Sequence, residues 1–289
     1  MTTKPVVVGV DGSEESLLAA EWAAMEANRH RLPLRIVSAP AMAPRTHSSQ
    51  VSPATIASVL RGASARALRT AVTRAEEVAP GLEIATDLLS GPPALAVTGT
   101  GSGAAMLVVG ARGAGGFAAM ILGSVGRYAA LRAACPAIVV RQASTAVHQE
   151  VAVGVRDPQD TTEALTSAFE EASVRHADLM VVHAWYLFPS ALRAPVDQDA
   201  REIRFHPQQI SDEASRGLSA SLSRWRDKYP DVRIRHDIVH GHPARVLANY
   251  SARADLVVIG RHGSPGIGSI QHALLDHARG PVAIVPVGD

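Results

Sequence analysis

The chain has 289 residues, of which 47% are hydrophobic and 19% are charged, a composition typical of a folded protein. This length allows one large domain or two ordinary ones. Because the formal net charge is only +1, the chain lacks the general basic field that would attract nucleic acid or an anionic membrane.

Short β-branched runs alternate with helical periods along the first half of the chain. The predicted strands are VVVGV (6–10), LRIVSA (34–39), LEIATDLL (82–89), MLVVGA (106–111) and PAIVV (136–140). Between them, apolar residues recur every three or four positions, which predicts helices over 17–29, 54–79, 93–101 and 125–134. Apolar strands separated by helices indicate an α/β fold with a parallel sheet covered on both faces.

The second half of the chain repeats the first. Four pairs of segments match, at offsets of 145, 145, 150 and 145: 6–24 with 151–169, 34–40 with 179–185, 88–113 with 238–263, and 123–140 with 268–285. We therefore predict two tandem domains, residues 1–143 and 150–289, each with five parallel strands flanked by helices in a Rossmann-like arrangement. The polar segment QASTAVHQE (142–150) links them.

The stretch GARGAGGFAAMILGS (110–124) directly follows the fourth strand, and five of its fifteen residues are glycine. Ligands of parallel sheets bind at the carboxyl ends of the strands. A glycine-rich turn allows close backbone approach, and the helix that begins near Ser124 offers free N–H groups to an anion. Arg112 lies in the turn and adds a positive charge. A flexible surface loop with an ordinary serine cap explains the glycines equally well.

Two common phosphate-binding motifs are excluded by the sequence. A Walker A loop needs lysine after glycine, and neither Lys4 nor Lys228 follows a glycine. A dinucleotide fingerprint requires GxGxxG after the first strand, where the chain has GVDGSEES (9–16) instead. The glycines of GTGSG (99–103) precede a strand and are misplaced for this role.

The pattern Gly110, Gly113, Gly123 and Ser124, spaced G-x2-G-x9-G-[S/T], resembles the ATP-binding signature of universal stress proteins. GVDGSEES (9–16), GPPA (91–94) and CPAIVV (135–140) also resemble that family. The resemblance covers essentially the whole chain as a tandem pair. It implies a five-stranded parallel sheet with a nucleotide, ATP with magnesium, at its carboxyl edge.

Residue roles near the nucleoside follow from the resemblance. Asp11 would lie at the ribose and phosphates and bind magnesium; the alternative is an aspartate that caps a turn or helix. Gly9 would pass close to the nucleoside. Val37 would lie against adenine, with its backbone reading the ring edge; the alternative is a residue of the strand core.

The resemblance also implies the triphosphate contacts. Gly110, Gly113 and Gly123 would wrap the triphosphate, while the Ser124 side chain and the Val125 N–H would hold its terminal oxygens. The remaining residues assigned to this end are Arg112, which is equally compatible with an exposed loop arginine, and Gly115 and Gly116, which add turn flexibility.

The second copy departs from this pattern. Arg156 replaces Asp11, and only four residues separate Gly263 from the pair Gly268-Ser269. A loop shortened by five residues predicts an empty or weak site, or one for a smaller anion held by Arg156 and His262.

Three functions remain open from the sequence. We favour an ATP-binding stress-response protein in which nucleotide occupancy regulates conformation or association, since the sequence offers no general base near the terminal phosphate. The alternatives are a slow ATP-hydrolysing or adenylyl-transferring enzyme, with Arg112 and Arg127 as its cations, and a nucleotide-independent scaffold.

The sequence also bears on location and assembly. No apolar run approaches the ~18 residues of a membrane span, and the first residues lack the pattern of a secretory signal, which predicts a cytoplasmic protein. A single cysteine, Cys135, predicts a buried thiol rather than a disulfide framework.

The apolar last strand of each copy predicts pairing of the two copies and a homodimer through these terminal strands. We predict mobile loops at 40–53 and 186–210.

Overall fold

The computed structural model describes residues 3–40, 52–113, 122–141, 147–156, 162–186, 207–261 and 270–287. Gly115 and Gly116 lie outside these residues, and so do most of the predicted mobile loops 40–53 and 186–210. Where the structure describes these loops, part of the prediction is wrong, since residue 53 and residues 207–210 belong to helices.

The elements alternate as the sequence predicts. The first half contains β1 (Val6–Gly9), α1 (Glu14–His30), β2 (Leu34–Ser38), α2 (Pro53–Val78), β3 (Ile84–Leu88), α3 (Pro93–Gly99), β4 (Met106–Gly110), α4 (Ser124–Arg132) and β5 (Ala137–Val140). The second half contains β6 (Glu150–Gly154), α5 (Thr162–Arg175), β7 (Asp178–Trp185), α6 (Pro207–Ser221), α7 (Ser223–Lys228), β8 (Ile234–His240), α8 (Pro243–Tyr250), β9 (Leu256–Arg261), α9 (Ile270–His277) and β10 (Val282–Pro286). Each half therefore contains five strands, with helices between successive strands.

The strands form one ten-stranded sheet in the order β3-β2-β1-β4-β5-β10-β9-β6-β7-β8. Within each half all neighbours are parallel, which confirms the predicted five-stranded parallel sheets. The halves meet through β5 and β10, which pair antiparallel with Ile138 opposite Ala283. The repeat is thus built into the sheet with an approximate two-fold relation.

This join corrects the predicted mode of dimerisation. The two copies pair through their terminal strands, as predicted. However, β5 lies between β4 and β10, and β10 lies between β5 and β9, so both strands have two neighbours within the chain. A homodimer through the terminal strands is therefore incompatible with this arrangement, because their backbone groups are already paired.

Strand alternation divides the core between the two faces of the sheet. Val6 and Val8 contribute to the cluster beneath α1, α2, α5, α6 and α7, whereas Val7 contributes to the cluster beneath α3, α4, α8 and α9. Cys135 is buried in the second cluster, and burial raises the pKa of its thiol to about 11. The prediction of a buried thiol is confirmed.

A buried cluster of charges lies where α1 of the first half packs against α5 of the second. His30 Nε2 lies 3.2 Å from one oxygen of Glu26 and 3.2 Å from one oxygen of Glu171. Arg175 Nη2 lies 2.5 Å from Glu26 Oε2 and 3.2 Å from Glu171 Oε2. Glu26 and Glu171 are repeat equivalents, as are His30 and Arg175, since each pair is 145 residues apart. This contact between α1 and α5, here called the seam, therefore consists of reciprocal ion pairs: His30 with Glu171 and Arg175 with Glu26.

These contacts shift the pKa values of the cluster. Hydrogen bonds to Glu171 and Glu26 raise the pKa of His30 to about 9, against the effect of burial. Burial alone would raise the pKa of Glu26, but the bond to His30 and the charge of Arg175 lower it to about 2. Arg29 also contacts Glu26, at 3.1 Å. Because Arg29, Arg175 and the protonated His30 supply positive charge to the two carboxylates, we interpret the cluster as an ion-pair network between the halves.

Among the helices that the structure describes, none has the length and hydropathy that a bilayer span requires.

Candidate functional site

A cavity of about 420 Å³ opens at the carboxyl ends of β1 and β4. The strand order reverses between these two strands, and open α/β sheets bind ligands at this point. One part of the lining, here called the glycine-rich end, comprises Gly9, Asp11, Ser16, Gly110, Arg112, Gly113, Gly123, Ser124, Val125 and Gly126. The other, here called the apolar wall, comprises Val10, Ala39, Leu60, Ala63, Ser64, Pro93, Val97 and Val109.

Asp11 lies where the chain leaves β1 and enters α1. Its Oδ1 accepts hydrogen bonds from the Ser13 backbone N–H at 3.0 Å and from the Ser13 hydroxyl at 2.6 Å. Gly12 between them has a left-handed φ of 87°, which glycine adopts at little cost. Ser13 is the N-cap residue of α1. Asp11 therefore stabilises the turn, as one alternative predicted, and also lines the cavity.

The glycines of the turn permit close approach to α1. A Cβ atom on Gly110 would lie 2.9 Å from the backbone carbonyl of Glu15. A Cβ atom on Gly113 would collide with Oδ2 of Asp11. Neither residue has a positive φ, so their absent side chains rather than left-handed backbone conformations account for glycine here.

The first turn of α4 presents backbone N–H groups to the cavity. The helix begins after Gly123, whose own N–H donates to the Ala111 carbonyl at 2.7 Å. The bond from the Arg127 N–H to the Gly123 carbonyl, at 3.0 Å, opens the intrahelical ladder. The N–H groups of Ser124 and Val125 precede that bond and are therefore available to an anion.

Arg112 brings a positive charge to the same end. Its Nη2 lies 2.9 Å from Glu15 Oε1 in the first turn of α1. Arg141, which follows β5, is near enough for its charge to interact with Arg112. Burial, followed by the charge of Arg112, lowers the pKa of Arg141. Arg112, Arg141 and Glu15 thus bring two guanidinium groups and a carboxylate to this edge of the sheet, in addition to the carboxylate of Asp11.

The apolar wall comes mostly from residues that sequence reasoning missed. Leu60, Ala63 and Ser64 belong to α2, and Pro93 and Val97 belong to α3. Gly9 packs against this wall, since a Cβ atom there would lie 2.7 Å from Val97 Cγ1. The periodicity of α2 and the GPPA turn were the available signals, but neither identifies the side of the helix that faces a cavity.

Val37 does not line the cavity, so its predicted contact with adenine is corrected. Its side chain is fully buried in the core, and its carbonyl accepts the Val10 N–H at 2.8 Å. The strand β2 ends at Ser38, and the lining residue from this segment is Ala39. The other predicted residues within the described part of the chain do line the cavity: Gly9, Asp11, Gly110, Arg112, Gly113, Gly123, Ser124 and Val125.

The described part of the C-terminal half keeps the base of an equivalent site. A Cβ atom on Gly154 would lie 2.8 Å from Leu247 Cδ1, the same relation that Gly9 has with Val97. Arg156 is exposed at the position of Asp11. Residues 157–161 and 262–269 lie outside the described residues, so the predicted empty or weak second site stays a prediction.

Comparison with known proteins identifies the family. A family profile described as "Universal stress protein family" matches residues 2–141 and again residues 148–286. The chain belongs to the universal stress protein family. The two matches show that it carries two universal stress protein domains in tandem.

Relatives of this family extend over almost the full length of the chain. A universal stress protein of Mycobacterium tuberculosis is 32% identical over 96% of this chain and 96% of its own length. One from Mycolicibacterium smegmatis is 30% identical over 97% of this chain and 96% of its own length. A crystal structure of a universal stress protein from Archaeoglobus fulgidus has a TM-score of 0.72 and covers 99% of this chain and 97% of that chain. At 14% identity, that likeness concerns the fold alone.

Proposed function

We propose that the N-terminal domain binds an adenine nucleotide, ATP with magnesium, and that its occupancy regulates the conformation or association of a stress-response protein. The observation that carries the proposal is the convergence of two chemistries in one cavity. The apolar wall offers a surface for a planar base, and the glycine-rich end offers N–H groups and a guanidinium to phosphates. An adenine nucleotide has both parts in one molecule.

The lining residues fit this ligand in a defined orientation. Adenine would lie against Ala39, Leu60 and Val97, with the phosphates directed toward α4. The turn glycines and the N–H groups of Ser124 and Val125 would then face the phosphate oxygens.

Asp11 fits a magnesium-nucleotide. Magnesium is commonly held by one or two carboxylates together with substrate phosphates, and keeps several waters. Asp11 is the only carboxylate among the described lining residues, and it lies at the glycine-rich end. When bound, magnesium would neutralise phosphate charge there.

A binding role is favoured over catalysis. General acid–base catalysis needs a positioned proton acceptor, and the described lining residues contain no histidine and no carboxylate besides Asp11. We therefore expect any turnover to stay well below ~1 s⁻¹. Arg127, proposed for adenylyl transfer, is directed elsewhere, because its Nε lies 3.2 Å from His272 Nε2 on α9.

The proposal is tested by ATP binding to a Gly113→Glu variant. The new side chain would collide with Asp11 and add negative charge beside the phosphates, so we expect ATP affinity to fall beyond detection. Gly103→Glu is the matched control. Gly103 is exposed, precedes the first residue of β4 and so lies away from the cavity, and a Cβ atom there would meet nothing within 4 Å. Equal ATP affinity in both variants, measured by titration calorimetry, would contradict the proposed site.

A further inference from the structure

An ion pair at the rim of the glycine-rich end stands apart from the ligand contacts proposed so far. Arg112 lines the cavity, and its Nη2 lies 2.9 Å from Glu15 Oε1. The side chains are 46% and 24% exposed, so a ligand can reach the arginine while the glutamate is largely covered. Glu15 thus places a negative charge beside a proposed anion site.

The position of Glu15 is fixed by the fold. Its backbone carbonyl packs against Gly110, where an added Cβ atom would come within 2.9 Å. Ser13, two residues earlier, has its hydroxyl 3.4 Å from the Arg112 carbonyl. The N-cap residue of α1 therefore contacts the backbone of Arg112, and the first turn of α1 contacts its side chain.

A second cation makes the charge balance of this edge sensitive to Glu15. Arg141 is half-buried and donates from Nη2 to the Leu275 carbonyl of α9 at 2.6 Å. Burial and the charge of Arg112 lower the pKa of Arg141, and the charges of Asp276 and Glu15 oppose this effect. Glu15 therefore interacts with Arg141 as well as pairing directly with Arg112. Neutralising Glu15 would leave this edge more positive and Arg112 without this carboxylate.

We propose that Glu15 is a positioning residue that holds the Arg112 side chain away from a bound phosphate chain. As a result, the affinities of the site for nucleotides with one, two or three phosphates differ less than they otherwise would. The inference rests on the proposed function. A carboxylate and a phosphate compete for the same guanidinium donors. Each offers oxygen atoms that accept the paired N–H groups of arginine. The contact with Glu15 thus lowers the affinity gained with each added phosphate.

The test compares four ligands with the full-length chain. Affinities for ATP, ADP, AMP and adenosine are measured by titration calorimetry for the wild-type chain and Glu15→Gln. We expect Glu15→Gln to tighten ATP binding about three- to fivefold, the scale of one partly exposed ion pair, and to leave adenosine unchanged. The gain should shrink at high salt, which screens exposed charges.

Glu14→Gln is the matched control. Glu14 lies in the same helical turn, but it pairs with Arg74 at 2.8 Å, on α2 rather than in the glycine turn. This variant removes the same charge from the first turn of α1 and should bind all four ligands as the wild-type chain does. If it reproduces the Glu15→Gln gain, a general charge effect explains the result and the inference fails.

A second background separates positioning from repulsion. In an Arg112→Gln chain, adding Glu15→Gln should give no further gain for ATP if Glu15 acts through the arginine. The inference would be contradicted by an undiminished gain in ATP affinity in the Arg112→Gln chain, by an equal gain for adenosine, or by weaker ATP binding to Glu15→Gln. None of these results would contradict the proposed function. If the wild-type chain and every variant bind none of the four ligands, the proposed function fails and this inference fails with it.

Discussion

Asp11 shows how a single residue can serve both the fold and the cavity. Its Oδ1 is held by Ser13 at the entry to α1, while the residue itself lines the glycine-rich end. An asparagine keeps an acceptor oxygen for Ser13 but carries no charge. The structural and the ligand-binding contributions can therefore be separated by substitution.

We predict that Asp11→Asn keeps stability and loses magnesium-dependent affinity. The retained acceptor should hold the free energy of unfolding within about 0.5 kcal/mol of wild type. ATP affinity with magnesium present should fall about tenfold, equivalent to ~1.4 kcal/mol. Urea unfolding and calorimetry with and without chelator measure the two effects.

Asp11→Ala provides the control for this separation, because it also removes the acceptor for Ser13 and should lower the urea midpoint. An Asp11→Asn chain whose loss of ATP affinity is the same with and without magnesium would rule out a metal role for Asp11.

The sequence located the glycine-rich end but not the wall facing it. Gly110 and Gly113 carry a spacing that can be read directly, because backbone approach demands glycine at fixed intervals. Leu60 and Ser64 are ordinary helical residues about fifty positions earlier in the chain, and only the packing of α2 brings them to the cavity. Val37 was assigned to the adenine contact by family resemblance, whereas its side chain is buried in the core and Ala39, two residues later, lines the cavity.

At the scale of elements, the packing of α1 on α5 joins the two halves through the cluster of Glu26, His30, Glu171 and Arg175. In the sequence these residues are charged positions of two amphipathic helices, which are usually solvent-facing. Their burial depends on which helices become neighbours, and that follows from the join of β5 with β10. The cluster was therefore beyond reach of sequence reasoning.

We predict that this seam makes stability sensitive to alkaline pH. The pKa of His30 is raised from its usual 6.5 to about 9 in the folded chain. The protonated form is therefore favoured by folding, and its contribution is fully present below pH ~6.5 and is lost as pH rises through ~9. The free energy of unfolding should fall by about 1–3 kcal/mol across that window, as measured by urea unfolding.

His30→Gln should be less stable at pH 6 and show a flatter profile between pH 6.5 and 9. His277→Gln, which alters an exposed histidine at the end of α9, should keep the wild-type profile. Parallel profiles for wild type and His30→Gln would mean that His30 is not protonated preferentially in the fold.

At the scale of the whole molecule, the tandem repeat and the apolar terminal strands together predicted how the halves meet. Repeats imply equivalent domains, and two apolar strands at equivalent sheet edges bury their backbone groups best by pairing with each other. The same pairing leaves β3 and β8 as the outer strands of the sheet. The homodimer stays a prediction, and it requires a surface other than β5 and β10.

The two related domains differ at the position of the proposed nucleotide site, and we predict that only the N-terminal domain binds a nucleotide. The N-terminal domain keeps the full glycine spacing around a cavity, whereas the C-terminal sequence has a shorter loop and Arg156 in place of Asp11.

The most direct test of this claim is the amount of nucleotide that accompanies the purified full-length chain. Denaturation releases the ligand, and chromatography identifies and counts it after the protein has been supplied with excess ATP and magnesium and desalted. We predict about one adenine nucleotide per chain, retained by Gly103→Glu and lost from Gly113→Glu. Two nucleotides per chain would contradict the asymmetry, and none would contradict nucleotide binding itself.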